Sequence, residues 1–346
     1  MFQAKKMKMM NTKIGAALAV SVAVTAALTG CGGGGGGGGG NAPAGAIDNG
    51  GSNPPKTDVT QEPVTSNNGI TVDNAKSLVA AIPFALGAGS MGAPATQFSS
   101  NTASTSAKTL RTIVNAAPCG FPAVGGGGTT TVTFDDADNS GGFITAPDTL
   151  TMTYDHCQFP SSPEITNGTL QFTNTTVTGN PAGNVAPWTL KGTMTALSYS
   201  QTSPTESILL NGVLEIDDAS ADGKTEITTA TSTNFSITRN ADPAIVFTAL
   251  TTHSTRVTSL TGFTDTSSSS GTAQIGGIGT VTMTTLAPWI SNGDDEFPSQ
   301  GSVKFVAANQ SSVVVSAINA QTAKVEIDSN GDGQVDSVQE IPWTQL

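Results

Sequence analysis

Beyond Cys119 the chain repeats one pattern, an apolar side chain at every second position with threonine, serine or a charged residue between. The stretches TTTVTFDD, DTLTMTYDHC, GTLQFTNTTVTG, WTLKGTMTALSYS and SILLNGVLEID carry it first. KTEITTATSTNFSITR, AIVFTALTTHSTRVTSL, GTVTMTTLAP, GSVKFVAA, SSVVVSAI, AKVEID and SVQEIPW carry it to the C-terminus. Successive side chains of a strand point to opposite faces, so the pattern asks for sheets with one buried face and one wet face. Gly, Asn, Asp, Pro and Ser punctuate it at the spacing of antiparallel hairpins. Threonine, β-branched yet polar, suits the wet face. The reading is an all-β fold, a large antiparallel meander, and curved open sheet, sandwich and barrel all satisfy it. One short helix precedes the sheet: TVDNAKSLVAAIPF places Asp73 as N-cap, puts Leu78, Val79 and Ile82 on one face and stops at Pro83.

The N-terminus has a different character. Lys5, Lys6, Lys8 and Lys13 precede the apolar run Ile14–Leu28, which is short for a membrane span and ends in small residues like a secretory signal. Its last residues, Leu28, Thr29, Gly30 and Cys31, resemble a bacterial lipobox. The resemblance implies cleavage of residues 1–30, acylation of Cys31 (palmitate among the chains) and attachment to a membrane through the N-terminal lipid. Gly32 follows where inner-membrane lipoproteins of this class often carry Asp, so the resemblance points to the outer membrane, with its periplasmic or surface face left open. Residues 31–68 then read as the lipidated cysteine and a disordered Gly/Pro-rich tether, because nine glycines and a polar stretch without hydrophobic period cannot repay the entropy of ordering. Such a tether reaches about 35 Å. Residues 69–346 make a single β-rich extracytoplasmic domain.

Loss of the signal removes four lysines, which leaves 10 basic residues of the 14 against 26 acidic ones and a net charge near −16. That balance argues against nucleic acid, whose binding needs clustered Lys and Arg. With Cys31 acylated, Cys119 and Cys157 remain, and two thiols in an oxidising compartment are expected to pair as a disulfide.

Two acidic stretches carry the chemistry of a calcium site. In EIDSNGDGQVDSVQEIPW, Asp328, Asn330 and Asp332 stand at alternate positions, Gly333 follows, Gln334 offers a backbone carbonyl, and Asp336 and Glu340 come later. Alternate oxygens of a tight loop converge on a hard cation while the glycine permits the turn. The spacing resembles the DxDxDG loops of dockerin-like extracellular proteins, here between strands. A weaker match sets Asp136, Asp138 and Ser140 at the same spacing, with Asp148 at the offset that Glu340 has from Asp328. The competing reading of both is a solvated Asn/Asp/Gly turn. A third and looser match, DDASADGKTEI, offers Asp218, Ser220, Asp222, Gly223 and Glu226, and here the solvated turn is the favoured reading. Calcium is the one cofactor expected; no organic cofactor is.

Catalytic signals are weak. His156 and His253 read as ordinary strand residues, and Ser90 in AGSMG lacks the strand–turn–helix of a nucleophile elbow. All three tryptophans, Trp188, Trp289 and Trp343, follow a proline; they suit either an aromatic platform for a sugar or caps on the core at strand ends. The function expected is binding or structural, toward a glycan or an envelope protein, with oligomeric state open. The alternatives are a hydrolase of extracellular polymer using loop carboxylates and a carrier of an apolar ligand.

Overall fold

The computed structural model describes residues 69–79, 112–119, 127–138, 145–158, 164–181, 184–204, 206–260, 262–293, 295 and 297–345. The lipobox with Cys31, the tether, Ser90, Ser140 and the end of the expected helix at Ile82 and Pro83 lie outside them.

One antiparallel sheet runs through the chain in sequence order. Its strands are β1 (Thr112–Pro118), β2 (Gly127–Asp135), β3 (Thr149–Gln158), β4 (Ile165–Asn180), β5 (Val185–Thr202), β6 (Ser207–Ser220), β7 (Thr225–Ser232) and β8 (Phe235–Arg239). Beyond them come β9 (Ile245–Ser259), β10 (Gly262–Ile275), β11 (Gly279–Asn292), β12 (Gln300–Ala307), β13 (Ser312–Asn319), β14 (Thr322–Asp328) and β15 (Ser337–Pro342). β7 and β8 share one place in the sheet, since both pair with β6 on one side and β9 on the other. Among the described residues β1 and β15 do not pair with each other. Among the described residues, then, the sheet does not close by hydrogen bonds into a barrel.

The register shows why alternation was the decisive signal. One inward rank runs Phe134–Leu150–Phe172–Met194–Leu214 through five strands. An outward rank runs Thr149–Thr173–Thr193–Glu215–Thr231–Thr251–Ser270–Thr284 through eight. The buried side chains form a single cluster from the N-terminal helix to Trp343. Large twisted sheets curl or fold over, so inward side chains can cover one another. Each fully buried Leu, Ile or Phe contributes about 1.5–3 kcal/mol relative to exposure.

A diagonal line of irregularities permits the bending. His156 in β3 and Ser198 in β5 have φ of 49°, each in a β-bulge. Asn167 Oδ1 accepts the His156 N–H at 2.8 Å, and Asn211 Oδ1 accepts the Ser198 N–H at 2.6 Å. The next residue each time is a glycine. A Cβ on Gly168 (φ +94°) would lie 2.1 Å from the Ser198 carbonyl, and one on Gly212 (φ +112°) 2.3 Å from the Asn234 carbonyl. Bulges and glycines together bend and twist a sheet where they align. The line has a signature that alternation alone conceals. NGTLQF (from Asn167), NGVLEI (from Asn211), SGTAQI (from Ser270) and QGSVKF (from Gln300) recur within β4, β6, β10 and β12 with one pattern, a glycine and then two buried apolar residues flanking an outward polar one.

The helix α1 (Val72–Val79) exists, with a different cap from the one expected. Thr71 and Asn74 bond reciprocally (Thr71 N–H to Asn74 Oδ1, 2.7 Å; Asn74 N–H to Thr71 Oγ1, 3.4 Å), so Thr71 caps and Asp73 lies exposed in the first turn. Ala75, Leu78 and Val79 are buried. The Ile70 N–H donates to Ser311 Oγ at 2.6 Å, which seats this segment on the β12–β13 turn. Cys119 and Cys157 form the expected disulfide, with Cα atoms 5.3 Å apart. It joins the end of β1 to β3 across β2, with the Thr130 hydroxyl 2.8 Å from Cys119 Sγ.

Candidate functional site

The β2–β3 connection brings together Asp136, Asp138 and Asp148. One carboxylate oxygen from each lies within 4.8 Å of the others. Asp136 follows the last residue of β2 and Asp148 precedes the first of β3, so pairing of these strands sets the two acids side by side. Both are buried, at 2% and 0% exposure, while Asp138 is open to solvent. Asp148 is fixed from several sides. Its Oδ1 accepts the Ala137 N–H at 2.9 Å, its Oδ2 accepts the Thr145 hydroxyl, and its backbone carbonyl accepts the Asn174 N–H at 2.9 Å. The Asn174 amide also donates to the Thr145 carbonyl at 3.3 Å, and the Thr145 hydroxyl lies 3.3 Å from Asp138 Oδ1.

Burial pushes the Asp148 carboxyl up, and the charges of Asp138 and Asp136 add to that, against the hydrogen bonds from Thr145 and Ala137. A bound hard cation would relieve the same repulsion, and oxygen-only ligands at this spacing suit calcium. Ser140, the remaining member of this set, lies outside the described residues.

The stretch with the closer sequence match is arranged differently. Asp328 accepts the Gly331 N–H at 2.7 Å on Oδ1 and the Gly333 N–H at 2.9 Å on Oδ2. Asn330 Oδ1 accepts from Asp332 N–H at 2.8 Å, and Asp332 Oδ1 from Gln334 N–H at 2.7 Å. Asp336 Oδ2 accepts the Ser329 N–H and hydroxyl, which hold its carboxyl below the ordinary range. These side chains fold onto their own loop as Asx turns do. Glu340 stands in β15 opposite Lys324, away from the loop. Among the described residues the grouping of three carboxylates occurs at Asp136, Asp138 and Asp148 and not here. The loop instead abuts the turn that seats Ile70: a Cβ on Gly331 would lie 2.8 Å from the Asn309 carbonyl.

The tryptophans cap the core. Trp188, Trp289 and Trp343 are exposed by only 2–3%. Trp188 Nε1 donates to Asn184 Oδ1 at 3.0 Å, and Trp343 Nε1 donates to the Asn319 carbonyl at 3.1 Å. Trp343 meets Trp289 edge-on and stacks on Phe297, both at 5.9 Å. An aromatic platform needs exposed ring faces, which these lack. His156 and His253 lie on β3 and β9, bonded to Asp155 at 2.6 Å and to the Thr229 hydroxyl at 3.0 Å. A cavity of about 10 Å³ bordered by Phe172, Asn174, Leu190 and Ile216 has room for one water.

Sequence reasoning passed over Asn174, whose side chain ties the acidic connection to β4; no spacing rule marks it, because its partner is a backbone carbonyl 29 residues away. No protein-family model, no curated protein and no solved structure matches this chain. Its chemistry is therefore argued from its own residues.

Proposed function

We propose that the chain is a lipid-anchored protein of the bacterial outer membrane, tethered through acylated Cys31, with a non-catalytic binding or structural role. Its β sheet is stabilised by calcium held at the β2–β3 connection. The observation that carries the calcium reading is the convergence of Asp136, Asp138 and Asp148, two of them buried. The lipid anchor rests on the lipobox resemblance, and the glycine tether beside it supports the same reading. A glycan or an envelope protein remains the partner class, met at the hydroxyl-rich outer face. A hydrolase is less favoured, because the neighbouring acids Asp218 and Glu226 lie on the core-facing side of the sheet.

Calcium is tested by thermal unfolding of the mature chain in detergent, with excess calcium and then with chelator. At about 100 times Kd a ligand adds about 2.7 kcal/mol, a shift of roughly 5–10 °C for a domain of this size. Asp148→Asn should remove the shift and Asp336→Asn should leave it. A shift lost only in Asp336→Asn would move the ion to the C-terminal loop, and no shift in the wild type would sink calcium altogether. Metal binding competes with the proton that Asp148 holds too tightly, so the shift should weaken as the pH falls toward the carboxyl range.

The anchor has its own test. Cells fed a labelled fatty acid should label the wild type and not Cys31→Ser, and the variant should leave the membrane fraction. Equal labelling of both would end the lipoprotein reading.

A further inference from the structure

We propose that Asp218, buried on β6, and Glu226, half-buried on β7, share one proton, a latch that keeps the β6–β7 hairpin closed and loosens it as the pH rises. The geometry carries this. Asp218 lies on the inward face of β6, in a rank with Leu190 on β5 and Thr228 on β7, and is fully buried. Its Oδ1 accepts the Thr228 hydroxyl at 3.0 Å. Its Oδ2 is buried without a hydrogen-bond partner, and the Glu226 carboxyl is the neighbour near enough to share a proton with it. A buried carboxylate oxygen left bare is costly, and a proton between two carboxyls removes one charge and satisfies both.

Among the described residues the cation beside the pair is Arg256, whose charge both acids feel but which is bonded elsewhere. Leu190 faces the pair from β5, while Lys191 points to the other side and pairs with Asp217. Arg256 on β9 stands opposite Glu226, but its guanidinium is engaged by Asp265 of β10 through bonds of 2.8 and 2.9 Å, over the Phe263 ring at 4.5 Å. Burial first, then the Glu226 charge, push the Asp218 carboxyl up to about 8. The step itself is an ionisation: the O–H bond breaks, the electron pair stays on the carboxylate, and the proton passes to water.

The sign follows. From the ordinary carboxyl range up to about pH 8 the folded chain keeps a proton that the unfolded chain has lost. Stability therefore falls with rising pH across that window and levels off above it.

The test compares the mature wild type with Asp218→Asn, whose amide donates permanently. The urea midpoint of the wild type should fall relative to the variant from about pH 5 to about pH 8 and run parallel above that. Amide exchange across residues 215–230, taken as the ratio of wild type to Asp218→Asn so that base catalysis cancels, should rise by about tenfold or more over the same range. If Asp218→Asn does not fold, Asp218→Ser, which likewise lacks the titrating carboxyl, makes the same comparison. Parallel midpoints and a constant exchange ratio at every pH would overturn the latch. So would a calcium-dependent midpoint at high pH that disappears in Asp218→Asn, which would make the pair a cation site.

Discussion

Gly168→Val is expected to abolish cooperative folding, or to cost about 4 kcal/mol or more if the chain still folds. Two effects coincide at this residue. Its φ of +94° is one that a β-branched residue rarely adopts, and its Cβ would stand 2.1 Å from the Ser198 carbonyl, a backbone atom of the neighbouring strand that cannot swing aside. The surroundings leave no slack. Gly168 pairs with Tyr154, whose ring meets that of Tyr199 edge-on at 5.9 Å, both rings buried. A side chain at the glycine would part the bulge from the Asn211 amide that holds it. Circular dichroism on urea titration reads the effect. Thr195→Val on the outer face is the control and should stay within about 0.5 kcal/mol. A Gly168→Val protein unfolding at the wild-type midpoint would mean that the line of bulges does not fix the bend of the sheet.

The second large effect is expected at the disulfide. Cys119 and Cys157 are 38 residues apart, so the bond removes about 4 kcal/mol of loop-closure entropy from the unfolded chain. The double variant Cys119→Ala/Cys157→Ala should melt about 10 °C lower than the oxidised wild type, and reductant should lower the wild type alone. The bond also decides the fate of the sheet's N-terminal edge. Among the described residues β1 pairs only with β2, and the disulfide carries its end across that strand to β3. Limited proteolysis of the double variant should therefore cut first near residues 112–126. An unchanged melting point in the variant would show that the β1–β2 hairpin is uncoupled from the main unfolding transition.

These effects fall where strand pattern and tertiary structure part company. Alternation named nearly every strand, because a period of two has one physical solution, a sheet buried on one side. It could not see that β7 and β8 share one position. The break at Thr233–Asn234 is held by the Asn234 side chain bonding Val213 N–H, a contact invisible along the chain. The acidic loops teach the same point from the other side. The Asp328 stretch had the better spacing, yet its carboxylates are consumed by the loop's own amides. The Asp136 stretch had the poorer spacing, and pairing of β2 with β3 closes it. The prolines before the tryptophans marked strand ends; only burial decided that the rings seal the core.

The sequence by itself determined the class of fold, the side of each strand that is wet, and the disulfide as soon as two cysteines remained. Each depends on a local pattern or on elimination. The tertiary structure alone decided that β1 and β15 do not pair among the described residues, which acids converge, and which of them, like Asp218, lies buried under the sheet. Those outcomes depend on register between strands tens of residues apart, where a shift of one position would turn every side chain to the other face.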